Sequence, residues 1–128
     1  MFSFPDNMKR VFQDPEMQKT FEEKGYVTVQ FYTPEEIEEL NKLYDDLHPV
    51  DERGFYPSTF SQDKNYRQKA DEEIRRIGNR TISNVLQDQK VVCGSFIVKY
   101  PGPDSEMCVH QDMTLVDEME FTGINIWC

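Results

Sequence analysis

The sequence is poor in histidine, cysteine, positive charge and long apolar runs. Two histidines, three cysteines and one tryptophan stand among 128 residues. Cys93, Cys108 and Cys128 are odd in number and irregularly spaced. That argues against a disulfide framework and for reduced thiols in a cytoplasmic protein. Lys and Arg total 14 against 24 Asp and Glu, a net charge of −10. Nucleic acid and anionic membrane are therefore disfavoured as partners, because both would be repelled. No apolar run approaches the roughly 20 residues of a membrane-spanning helix. The opening Met1-Phe2-Ser3-Phe4-Pro5-Asp6 lacks the apolar stretch of a secretory signal. Asn79-Arg80-Thr81 matches a glycosylation acceptor, and without secretion it is read as accidental.

What is present is a globular composition, 38% hydrophobic and 30% charged, enough for one domain over residues 1–128 with a modest core. Residues 8–24 look helical and end at Gly25. Tyr26-Val27-Thr28-Val29-Gln30-Phe31 has the β-branched and aromatic content of a short strand. Thr33-Pro34-Glu35-Glu36 is a helix start, with Thr as N-cap, Pro at N1 and Glu at N3. Ile37, Leu40, Leu43, Tyr44 and Leu47 follow at helical spacing, up to His48-Pro49. Residues 51–65 read as loop, and 66–86 as a second helix interrupted near Gly78-Asn79. From 91 the pattern turns extended: 91–100, 107–112 and 121–127 are strand candidates. The expectation is an α+β fold, mainly helical over 1–90 with one early strand and mainly strand over 91–128.

The chemistry-bearing run is Val109-His110-Gln111-Asp112. Side chains two apart on an extended chain share a face, so imidazole and carboxylate can converge on one ion. Two His and one carboxylate on one face of an octahedral ion is the donor set of non-heme Fe(II) oxygenases. An H-x-D arises by chance in a chain of this composition with a probability of about one in six. The surrounding residues raise its weight.

Phe96-Ile97-Val98-Lys99-Tyr100-Pro101, then His110-Gln111-Asp112, then Ile124-Asn125-Ile126-Trp127 resembles the phytanoyl-CoA dioxygenase family. Gly25-Tyr26-Val27 and Thr33-Pro34-Glu35-Glu36 resemble the opening strand and helix of that family. The resemblance implies the first strands of a double-stranded β-helix (a jelly-roll, cupin-like fold), incomplete here. It implies an Fe(II)- and 2-oxoglutarate-dependent oxygenase that hydroxylates a small organic substrate with O2. His110 and Asp112 would be metal ligands. Trp127 would lie beside 2-oxoglutarate, and Ser95 would stand where some members use Met to contact it. Lys99 shares the parity of Ser95 and is equally readable as a strand-end lysine. Halogenating relatives lack the carboxylate, so Asp112 points to hydroxylation. The family's third ligand, a histidine, and its later Ser and Arg have no counterpart up to Cys128. The chain as given is expected to bind Fe(II) weakly and to be inactive.

Other readings stand beside this one. His48, at a helix end, is a dipole-facing residue before it is a ligand. Cys108 beside His110 could suit zinc, although a small buried cysteine is the simpler assignment. Asp117, Glu118 and Glu120 read as loop solvation. Tyr56, Ser58 and Thr59 could line a substrate pocket or lie in a surface loop. The chain could also be a non-catalytic binding or interaction module on a partial β-helix, able to self-associate through open strand edges.

Overall fold

The computed structural model describes residues 9–47, 53–117 and 119–128. Three helices, α1 (Pro15–Lys24), α2 (Pro34–Leu47) and α3 (Lys64–Thr81), accompany two short strands, β1 (Phe55–Pro57) and β2 (Ile97–Lys99). The strands pair antiparallel, Phe55 with Lys99, Tyr56 with Val98 and Pro57 with Ile97. The arrangement is α+β. No double-stranded β-helix is present among the described residues.

Local chemistry sets the helix ends. Asp14 caps α1, accepting from the amides of Glu16 at 2.7 Å and Met17 at 3.3 Å. Gly25 closes it in the left-handed region at φ 79°, its N–H bonded to the Phe21 carbonyl. Helix α2 opens on a full capping box: the Glu36 amide donates to Thr33 Oγ1 at 3.2 Å, and the Thr33 amide donates to Glu36 Oε2 at 3.0 Å. Asp63 caps α3 through the amides of Asn65 and Tyr66.

The core lies between the chain before α1 and the chain after α3. Val11, Phe12, Ile82 and Leu86 are buried together, with Met17, Phe21, Val27, Phe31, Val91 and Ile124 packed around them. Phe12 and Leu86 form an isolated antiparallel bridge. Two buried amides there, of Val11 and Phe12, donate to one acceptor, Gln18 Oε1, at 2.9 and 3.0 Å. Leaving such donors unsatisfied would cost about 1–3 kcal/mol each, which explains a buried glutamine. Helix α2 packs on α3, and Glu39 accepts from both Arg76 and Arg80 across that contact. Those guanidinium groups hold the Glu39 carboxyl below its ordinary value.

Several expectations are corrected. The first helix begins at Pro15 rather than at residue 8, because residues 11–13 bond to 85–87 instead: Gln13 N to Val85 O at 3.1 Å and Gln87 N to Val11 O at 2.8 Å. Residues 26–31 form no strand. Val27 and Phe31 pack on the core cluster of Val11, Phe12, Ile82 and Leu86, while Tyr26 stays exposed, so β-type composition here does not report pairing. Helix α3 runs unbroken through Gly78, which is buried close against Val91 and Tyr32. The 51–65 stretch holds β1, a strand too short to show periodicity.

The largest departure is at 91–128. Among the described residues of that region, only Ile97–Lys99 pairs as strand, since a strand exists only where a partner lies alongside. Residues 91–94 are tied to α3 by side chains instead. Val91 N donates to Asn79 Oδ1 at 2.9 Å, and Gly94 N to Asp71 Oδ1 at 2.8 Å. Gly94 lies so near Ile74 that an added Cβ would approach it to 2.5 Å. Among the described residues, no helix is long and apolar enough to cross a membrane. His48 and Glu118 fall outside the described residues.

Candidate metal centre

The chain from 112 to 125 folds back on itself. A turn at 117–121 closes through Glu120 N and Phe121 N, both bonded to Asp117 O at 3.0 and 2.8 Å. Thr114 and Val116 lie within 4 Å of where a Cβ on Gly123 would stand. At the open end, Asn125 Nδ2 donates to Asp112 Oδ2 at 2.8 Å. Asp112 with Asn125, and Val116 and Thr114 with Gly123, bring the two arms near each other through side chains, with no strand pairing between them among the described residues. Ile124 seats the returning arm on the helical core. Lys9 Nζ, which donates to Glu120 O at 2.9 Å, holds the turn. Further along, Cys128 lies near Tyr32, whose phenol is pushed up first by burial and then by Cys128 and Glu36.

His110 Nε2 lies 3.1 Å from Asp112 Oδ1, and His110 Nδ1 lies 2.9 Å from the Cys108 carbonyl oxygen. Both ring nitrogens thus face acceptors. A neutral imidazole carries one N–H and can serve only one of them. With that proton on Nδ1, the Nε2 lone pair meets a carboxylate oxygen, and the pair requires a proton or a cation between them. Two donors at right angles on an ion with bonds of about 2.0–2.2 Å stand roughly 2.8–3.1 Å apart, which the observed separation matches. The Nδ1 contact to a backbone carbonyl is the outer-shell bond that fixes a ligating histidine in its Nε2-donor form. The side chains are 40% and 39% exposed, so part of the pair is open to solvent.

The other sequence candidates divide. Cys108 is exposed, not the buried cysteine expected, and it serves His110 through its carbonyl rather than its thiol. Among the described residues, no group of three His, Cys, Asp or Glu side chains is placed to hold a metal ion. Ser95 Oγ lies 3.1 Å from Ser58 Oγ and accepts from Thr59 N at 3.3 Å, so this hydroxyl helps fasten the end of β1. Ser58 is buried and its Oγ accepts from Phe96 N at 3.0 Å. Lys99 Nζ sits 5.7 Å from the Phe55 ring centroid, a cation–π contact across the β1–β2 pair. Trp127 is 69% exposed. The shallow grooves between α2 and α3, lined by Glu39, Lys42, Arg76 and their neighbours, involve none of these residues.

Asn125 was not among the sequence candidates. Its signal is a single carboxamide between apolar neighbours in Ile124-Asn125-Ile126, where only its partner Asp112 gives it meaning.

No family model matches the chain, and neither the curated proteins nor the solved structures contain a match.

Proposed function

We propose that His110 and Asp112 are two of the protein ligands of a non-heme Fe(II) centre in a 2-oxoglutarate-dependent oxygenase. In this reading the 112–125 segment would belong to the opening strands of a double-stranded β-helix, and the substrate is a small organic molecule. The observation that carries it is the 3.1 Å separation of His110 Nε2 and Asp112 Oδ1, with Nδ1 already engaged by a carbonyl. The donor set of one imidazole and one carboxylate suits Fe(II). Trp127 would lie beside 2-oxoglutarate, as the resemblance implies. Bound iron and 2-oxoglutarate supply the oxidising power for hydroxylation with O2; the residues orient and shield. His110 presents Nε2, Asp112 presents Oδ1, and the open side admits the remaining ligands.

The test is metal affinity. Mn(II) titration, followed by Trp127 fluorescence with and without 2-oxoglutarate, should give one weak site, saturating above micromolar concentrations. Both His110→Ala and Asp112→Ala should abolish it. Identical titrations for the wild type and both variants would overturn the proposal.

A further inference from the structure

We infer that Asn125 is the positioning residue that decides which oxygen Asp112 offers to a cation. This rests on the reading of His110 and Asp112 as a metal-binding pair. The two carboxylate oxygens of Asp112 have different neighbours: Oδ1 lies 3.1 Å from His110 Nε2, and Oδ2 accepts from Asn125 Nδ2 at 2.8 Å. Only the NH2 end of a carboxamide can donate, so the orientation of Asn125 is fixed by the charge it meets.

A carboxylate held in this way cannot turn about its last bond without losing the Asn125 contact. Oδ1 is left as the single oxygen facing the imidazole, and Asp112 binds through one atom rather than two. The difference has a chemical consequence. A two-oxygen chelate would consume a coordination position that a cosubstrate or O2 needs. The clamp also reaches the rigid part of the protein. Ile124 packs on the core cluster of Val11, Phe12, Ile82 and Leu86, and the next residue on an extended chain points the opposite way. Asn125 thereby transmits the position of the core to a carboxylate on an exposed segment, 13 residues earlier in the chain.

The experiment titrates the chain with Mn(II) into the millimolar range and reads water-proton relaxation, which reports both bound ion and the waters on it. Wild type, Asn125→Leu, Asn125→Ala and Asp112→Ala are compared. Leu keeps the approximate shape of Asn without its donor and Ala removes the shape too, so the pair separates packing from hydrogen bonding. Asn125 is exposed, and both variants should melt with the wild type. The expected result is an affinity about 10-fold weaker in both, the lower end of what losing an outer-shell partner costs. The enhancement per bound ion should also fall, because the freed Oδ2 displaces a water. Wild-type affinity and enhancement in both Asn125 variants, with binding lost in Asp112→Ala, would overturn the role of Asn125 while leaving the metal site standing. Unchanged binding in Asp112→Ala would remove the site itself and this inference with it.

Discussion

The helical part of the molecule and the segment after Tyr100 are held by different forces. In the first, Val11, Ala70 and Ile77 are completely buried, each α-helix has a side-chain cap at its N-terminus, and the buried amides of Val11 and Phe12 are paired. In the second, Val109, Met113 and Met119 lie open, Met119 at 93%. The segment keeps its shape through a turn, a few side-chain hydrogen bonds and the anchor at Ile124. The residues with metal-binding chemistry belong to the second part. The contrast teaches that candidate site residues can sit on loosely packed chain if a few contacts, here Ile124 on the core and Lys9 to Glu120, fasten it to the rest of the molecule.

The strongest way to break this comparison is a pair of apolar truncations. Ile77→Ala, in a fully buried position of α3, should cost about 2–5 kcal/mol in denaturant unfolding. Leu115→Ala, at a position 66% exposed, should stay within about 0.5 kcal/mol. Equal costs would mean that the segment is as tightly packed as the helices, and the contrast would be lost.

A smaller effect sharpens the description of the junction between the parts. Burial first, and a hydrogen bond with Tyr100 second, push the Tyr44 phenol from 10.0 up to about 12. The folded protein therefore holds that proton more tightly than the unfolded chain does. The resulting stability is complete below pH 10 and is lost as the pH rises toward 12. Unfolding midpoints measured across that window should fall in the wild type and fall less steeply in Tyr44→Phe. Parallel curves would show that this ring is not the titrating group.

Much of the helical part was legible in the residues. Thr33-Pro34-Glu35-Glu36 announced α2 because capping is local chemistry, and Gly25 announced the end of α1 because few residues adopt its backbone. What failed was non-local. Nothing in Tyr26-Val27-Thr28-Val29-Gln30-Phe31 tells whether it pairs with a strand or only packs on the core, and Val27 and Phe31 pack on Val11, Phe12, Ile82 and Leu86 without pairing. Phe55 and Tyr56 became a strand because Val98 and Lys99 lie beside them, some 40 residues away in the chain. In the candidate site, the nearness of His110 and Asp112 follows from a spacing of two. The Asn125–Asp112 contact depends on a turn that no spacing rule signals, and the Ser95 hydroxyl contacts Ser58 and Thr59, partners from a distant segment.

The most direct test of the central claim is where a paramagnetic divalent ion settles on the molecule. With 24 acidic residues, Mn(II) has many weak alternatives, above all the exposed carboxylates of α2. Backbone amide signals recorded during substoichiometric Mn(II) addition should broaden first at residues 108–112 and 125–127, and Asp112→Ala should erase that pattern. Broadening that begins along Glu35, Glu38 and Glu39 and leaves His110 sharp would contradict the account.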